Sequence, residues 1–215
     1  MNNSNIVAVI LSGGAGKRFE GADKGLYPHQ GKTLIEWVID AIAPQVCGLL
    51  LCVNRNLNEY QTLGYPLISD QSDEREGPLA GLIAAIDFIE STDFIEGLYS
   101  SKIKDSSKTK IDPGQISAIL LSSCDSPNLP NNYVGLLNEA MQANQTLAVV
   151  VNDGQRNQNL HCLIHKDAWG IVRQFFTEGG RAMHRLHKTI GTIEVDFSDQ
   201  ADAFLNINSP DQLTE

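Results

Sequence analysis

The stretch Ile6-Val7-Ala8-Val9-Ile10-Leu11-Ser12-Gly13-Gly14-Ala15-Gly16-Lys17-Arg18-Phe19-Glu20-Gly21-Ala22-Asp23-Lys24-Gly25 decides how the rest of the chain is read. Ile6–Leu11 is a continuous apolar run of the kind buried on both faces of a sheet, and it stops at glycines. Glycines directly after a buried strand allow positive φ and close backbone approach, so that amide N–H groups can face phosphate oxygens. Lys17, Arg18 and Lys24 follow. A loop offering both amide donors and cations is suited to clamp a triphosphate. It is neither of two familiar nucleotide loops. The fingerprint G-x-G-x-x-G begun at Gly14 would need its third glycine at Phe19. The loop G-x-x-x-x-G-K-[ST] meets Leu11 and Arg18 at required positions when set on Gly16-Lys17, and Leu26 in place of its leading glycine when set on Gly31-Lys32-Thr33.

Outward from this stretch, apolar runs alternate with amphipathic ones. Leu34 to Ala43 has a helical period, Leu49–Val53 is a second strand, Asn58–Leu63 a short polar helix and Pro66–Ser69 a short strand. Leu79–Ile89 repeats the helical pattern. Ile116–Ser122 is another buried-type strand, a helix opens at Pro130 and runs to about Gln142, and Leu147–Val151 follows as a strand. This order predicts an α/β fold, a mostly parallel sheet with helices on both faces. The last third differs, with Leu160–Ile164 and Thr192–Asp196 as strands and helices near Ala168–Phe176 and Arg181–His187; some antiparallel strands are expected there. Ser91–Gln115 breaks the pattern. It is polar, carries Lys102, Lys104, Lys108 and Lys110, and reads as a solvated mobile loop, or as a basic flap over an anionic substrate.

With 215 residues the chain suits one domain with a full core. Its formal net charge of −10 disfavours a general nucleic-acid binder, because a long polyanion would be repelled; a small anionic ligand would need a local pocket of cations and backbone N–H groups. No apolar run is long enough for a membrane span, and Ile6–Leu11 is too short for a signal sequence. Cys47, Cys52, Cys124 and Cys162 lack C-x-x-C spacing and mostly sit in apolar runs, as buried free thiols of a reducing compartment do. A cytoplasmic location is expected.

The stretch Leu11 to Gly25 fits L-[AS]-G-G-x-x-x-R-[MF]-x-G-x-D-K-G. Further along come Asn54-Arg55 with Tyr60, then Asp70 with Gly77-Pro78-Leu79-Ala80-Gly81, and Cys124-Asp125-Ser126-Pro127. Asp196-Phe197 and Phe204-Leu205-Asn206-Ile207-Asn208-Ser209-Pro210 close the series. In this order and spacing the motifs span nearly the whole chain, and they resemble those of the molybdenum cofactor guanylyltransferase (MobA) family. Ser12 and Phe19 stand where that family usually has alanine and methionine, and Asn157-Gln158-Asn159-Leu160-His161 departs from it on the acceptor side.

The resemblance implies a three-layer Rossmann-like nucleotidyltransferase fold. It implies a GTP-binding half over about 1–127 and an acceptor-binding half over about 128–215. The implied reaction is attack by the terminal phosphate oxygen of molybdopterin on the α-phosphorus of GTP. Guanine dinucleotide cofactor forms and pyrophosphate leaves, with Mg²⁺ as the cofactor and no enzyme nucleophile. Leu11, Ser12 and Gly13 are expected to offer backbone groups to base and ribose, and Gly14 to lie nearer the phosphates. Lys24 is expected to contact the phosphates as a point charge and Arg18 as a planar fork. Asn54, just past a strand end, suits guanine or ribose, or forms a turn. Asp70 contacts nucleotide or caps a turn. Asp125, at the sheet's carboxyl edge, is the expected Mg²⁺ ligand, or caps the turn before Pro127. Asn206 and Asn208, alternating along an extended run, would share one face and read the pterin or its phosphate. Arg156 and Arg181 are possible acceptor-phosphate contacts, and Glu178-Gly179-Gly180-Arg181 a possible anion site. His161, His184 and His187 lack metal spacing and read as structural. The implied partners are small-molecule substrates, with cofactor-biosynthesis proteins or acceptor molybdoenzymes as protein partners. A cytidylyltransferase on the same pterin or on a small alcohol phosphate is the nearest alternative, and a non-catalytic nucleotide-binding module another.

Overall fold

The protein is described here by a computed structural model covering residues 3, 5–12, 23–70, 77–91, 113–209 and 212. Gly13, Gly14, Arg18 and most of the Ser91–Gln115 segment lie outside these residues. The strands are β1 (Ile6–Ser12), β2 (Pro28–His29), β3 (Lys32–Thr33), β4 (Gly48–Val53), β5 (Leu67–Ile68), β6 (Ala118–Ser123), β7 (Ala148–Asn152), β8 (Asn157–His165) and β9 (Ile193–Asp196). The helices are α1 (Leu34–Ile42), α2 (Leu57–Gln61), α3 (Pro78–Glu90), α4 (Tyr133–Ala143), α5 (Trp169–Thr177) and α6 (Met183–Ile190).

Seven strands form one sheet in the order β5-β4-β1-β6-β8-β7-β9. All pairings are parallel except those of β8, which runs antiparallel between β6 and β7. The antiparallel character expected of the C-terminal third is thus carried, within this sheet, by a single strand. β1 is an interior strand, paired through Val7–Ser12 to β4 and through Ile6–Leu11 to β6.

Both faces of the central strands are apolar because both are covered. Ile6, Ala8 and Ile10 of β1 join Leu49, Leu51 and Leu120 on one face, under α1 and α4. Val7 and Val9 join Leu50, Ile119 and Leu121 on the other, under α3, α5 and α6. Strand side chains alternate between faces, so an unbroken apolar run supplies two core layers at once.

Helix ends follow local chemistry. The Glu36 carboxylate accepts from the Thr33 backbone N–H at 2.8 Å, closing the first turn of α1. Pro78 occupies the first turn of α3, where its missing N–H would have had no partner. α4 begins at Tyr133 rather than at Pro130, since residues 127–132 are mainly turns. No helix among the described residues is long and apolar enough to cross a membrane.

Candidate active site

β1, β4 and β6 run parallel, so their carboxyl ends lie on one edge of the sheet, where ligands of such folds bind. A hollow of about 390 Å³ opens there. Leu11 and Ser12 come from the end of β1, Cys52 and Asn54 from the end of β4, Asp70 from just past β5, and Ser123, Cys124 and Asp125 from the end of β6. Gly77, Pro78 and Gly81 bring the first turn of α3 to the same wall. A Cβ at Gly81 would stand 2.7 Å from Leu11 Cδ2 and 3.0 Å from Cys52 Sγ, so only glycine lets α3 pack this close to the strand ends.

Across the hollow, Lys24 Nζ donates to Asp125 Oδ2 at 2.5 Å and to Asn208 Oδ1 at 3.0 Å. Residues 101 and 184 positions apart from the lysine thus meet on one amine. Asp125 Oδ1 is buried with no hydrogen-bond partner among the described residues. Asn54 Nδ2 donates to Asp70 Oδ1, and Ser69 Oγ donates to Asn54 Oδ1 at 2.8 Å, tying the rims of β4 and β5 together. Burial, aided by the nearby Asp70 and Asp125 carboxylates, pushes the Cys52 and Cys124 thiols up to about 12. They are neutral wall groups rather than nucleophiles.

A second hollow of about 240 Å³ adjoins the first, sharing Ser123 and Leu160 with it. Arg156, His161 and Asn206 line it. His161 is 1% exposed; its Nδ1 lies 3.3 Å from Ser122 Oγ and its Nε2 3.2 Å from Ser126 Oγ, which in turn donates to Asn206 Oδ1 at 2.9 Å. Burial pulls the imidazole down to about 4, against the opposing pull of Asp125. His161, read from the sequence as structural, is thus both buried and part of the wall. No local pattern marks it, because its serine partners reach it only through the β6–β8 pairing.

Of the residues singled out from sequence, Leu11, Ser12, Lys24, Asn54, Asp70 and Asp125 all line the larger hollow. Arg156 and Asn206 line the smaller one. Asn206 and Asn208 do not act as one face. The run 205–208 lies outside any strand, and Asn206 bonds Ser126 whereas Asn208 bonds Lys24. Arg181 lines neither hollow. Its Nη1 donates to the Phe176 and Gly180 carbonyls, and its guanidinium lies 3.9 Å from the Phe176 ring centroid, closing the end of α5. The proposed anion site at Glu178–Arg181 is corrected accordingly: those carbonyls are acceptors and draw the cation inward. Gly13, Gly14 and Arg18 fall outside the described residues.

The sequence model of the MobA-like NTP transferase domain matches residues 8–192. The chain belongs to this family. Among curated relatives, a molybdenum cofactor guanylyltransferase of Shewanella loihica is 34% identical over 209 residues, covering 96% of this chain and 93% of its own. One of Haemophilus influenzae is 32% identical over 208 residues, covering 97% and 95%. Among solved structures, the molybdopterin-guanine dinucleotide biosynthesis protein A of Archaeoglobus fulgidus superposes with a TM-score of 0.68 at 19% identity, covering 96% of this chain and 94% of that one. A CMP:2-keto-3-deoxy-manno-octonic acid synthetase complexed with CTP superposes with a TM-score of 0.64 at 15% identity, covering 97% and 95%. These two likenesses concern the fold.

Proposed function

We propose that this member of the MobA-like family transfers GMP from GTP to the terminal phosphate of molybdopterin, giving the guanine dinucleotide cofactor and pyrophosphate. The observation that carries the reading is the meeting of Lys24 and Asp125 in the larger hollow, in a chain whose relatives are named for that reaction. The chemistry needs an acceptor phosphate oxygen to form a bond to the α-phosphorus while the bond from that phosphorus to the bridging oxygen breaks. The electron pair goes to pyrophosphate, and no protein nucleophile is required.

In this reading the larger hollow holds the nucleotide. Its apolar walls, Leu11, Cys52, Pro78 and Leu160, suit a base and ribose, and the Asn54–Asp70 pair supplies donors and acceptors for them. Lys24 faces the phosphates, with the glycines at 13 and 14 and Arg18 completing the clamp. The smaller hollow takes the acceptor, with Arg156 and Asn206 as its phosphate and pterin contacts. Asn208, held by Lys24, joins the two halves.

Asp125 fits a magnesium ligand. One oxygen is engaged by Lys24, and the other is buried without a partner among the described residues. Among the described residues no group of three or more His, Cys, Asp or Glu is placed to hold a metal ion. When bound, Mg²⁺ would neutralise phosphate charge. Lys24 would exchange Asp125 for phosphate oxygen as the triphosphate enters. The four buried free cysteines accord with a reducing, cytoplasmic setting. Incubation with Mg²⁺, molybdopterin and GTP, CTP or ATP in turn tests the reading. Pyrophosphate release with GTP alone is expected. Release with CTP alone would reassign the base, and release with none would remove the catalytic reading.

A further inference from the structure

We propose that Asp23 is the positioning residue for Lys24, held by a hydrogen-bonded relay that runs from Ser12 through Tyr60 and by Asn56 and Arg55. It rests on the reading of Lys24 as the phosphate contact. In this arrangement the Asn54-Arg55…Tyr60 motif serves the lysine as well as the nucleotide rim.

Asp23 precedes Lys24 and is 8% exposed. Its Oδ1 accepts from the Gly25 N–H at 3.1 Å and from the Tyr60 phenol at 2.8 Å. Its Oδ2 accepts from Asn56 Nδ2 at 3.1 Å and lies 3.3 Å from Arg55 Nε. Both carboxylate oxygens are therefore engaged. The bond to the amide two residues on makes a local turn, with Lys24 at its middle position. The Leu26 N–H to Asp23 carbonyl bond at 3.2 Å and the Tyr27 N–H to Lys24 carbonyl bond at 3.2 Å continue the turn. Lys24 is thereby carried on backbone fixed from both sides.

The direction of the relay follows from counting protons. An ionised carboxylate only accepts, so the single phenol proton of Tyr60 goes to Asp23. Burial, foremost, pushes the Tyr60 phenol well above its ordinary value, so it keeps that proton. Ser12 Oγ, 2.5 Å from Tyr60 Oη, must then be the donor of that bond. Gly25 leaves room for the arrangement: a Cβ there would stand 2.2 Å from Ser12 Oγ and 2.6 Å from Tyr60 Oη. Positioning errors of about 1 Å at a charge-stabilising group can lower turnover about a hundredfold, which gives such a relay its leverage.

The test uses Tyr60→Phe, which keeps the ring and removes the O–H. The expected kcat for pyrophosphate release from GTP and molybdopterin falls about tenfold or more, with the KM for GTP within about threefold of wild type. Ser12→Ala is expected to lower kcat less, because Tyr60 still reaches Asp23. The double variant Ser12→Ala/Tyr60→Phe is expected to match Tyr60→Phe alone, since the serine acts through the phenol. Unchanged kcat in Tyr60→Phe, or additive losses in the double variant, would overturn the relay and leave a packing role. If Tyr60→Phe does not fold, Asp23→Asn replaces it: a kcat within twofold of wild type would overturn the proposal, and a tenfold fall at near-constant KM would support it. A crystal structure of the substituted protein separates this from the proposed reaction. Lys24 Nζ displaced from Asp125 supports the relay even if wild type turns over none of the nucleotides, and Lys24 unmoved refutes it even if wild type is active.

Discussion

Asp125 carries two oxygens in unlike surroundings, one bound to Lys24 and the other buried without a partner among the described residues. A buried acceptor left unpaired is unfavourable unless something else completes it. Asp125→Asn keeps the shape and removes the charge. Pyrophosphate release should fall about a hundredfold or more, on the scale of losing one preorganised electrostatic contact; unchanged turnover would dissociate Asp125 from metal. His161 yields a second prediction at this scale. Burial holds its folded-state value at about 4, below the 6.5 of an exposed imidazole, so the unfolded chain binds the extra proton first as pH falls. Stability from the neutral imidazole is therefore complete above about pH 6.5 and is lost progressively down to about pH 4. Urea unfolding at pH 7 and pH 5 should differ by about 2 kcal/mol from this group, and the difference should shrink in His161→Gln.

Helix α3 and the segment 205–208 are the elements through which packing reaches the site. A Cβ at Gly81 cannot be placed without moving Leu11 or Cys52, both of which line the larger hollow. Gly81→Ala should lower stability by about 1–3 kcal/mol in denaturant unfolding and weaken GTP binding in calorimetry, because the relief moves α3 off the strand ends. The segment 205–208 is anchored by Phe204, whose ring packs edge-on at 5.1 Å from Phe197 and 5.5 Å from His161, and by the Ile207 N–H to Asp125 carbonyl bond at 2.9 Å. Along it Asn206 and Asn208 part company. Asn206→Ala should raise the KM for molybdopterin with that for GTP within about twofold. Asn208→Ala should lower kcat about tenfold, because it releases one partner of Lys24. Equal effects of both on the acceptor alone would return Asn208 to the pterin side.

Over the whole molecule, a chain of net charge −10 binds an anionic nucleotide only if the local field of the hollow overrides the mean one. GTP with Mg²⁺ at a hundredfold excess over its Kd should stabilise the fold by about 2.7 kcal/mol, a thermal shift of roughly 5–10 °C for a chain of this size. CTP at the same concentration should shift it less. Much of this molecule is legible in its sequence. All seven strands of the sheet fall within or beside predicted runs; β1, β4 and β6 are legible because strands buried on both faces are written as unbroken apolar segments, whereas β9 (Ile193-Glu194-Val195-Asp196) is legible by its alternation. The hairpin β2–β3 is not legible in the sequence, because two residues per strand give no period. Its only signal is the Gln30-Gly31 pair, which takes φ of 47° and 85°. The place of Arg181 is not legible either, because a cation beside glycines reads alike whether it faces a ligand or its own helix end.

What the sequence determined by itself is local and periodic: where strands and helices lie, that a glycine turn follows a buried strand, and which residue types stand at the strand ends. Tertiary structure alone decided which of these residues share an atom. Lys24, Asp125 and Asn208 meet because β1 and β6 are parallel neighbours and the C-terminal segment folds back across β6. His161 meets its serines because β8 runs antiparallel to β6. Hydrogen bonds and ion pairs act over a few ångströms, so residues separated by a hundred positions become partners only once the chain's path has brought them there.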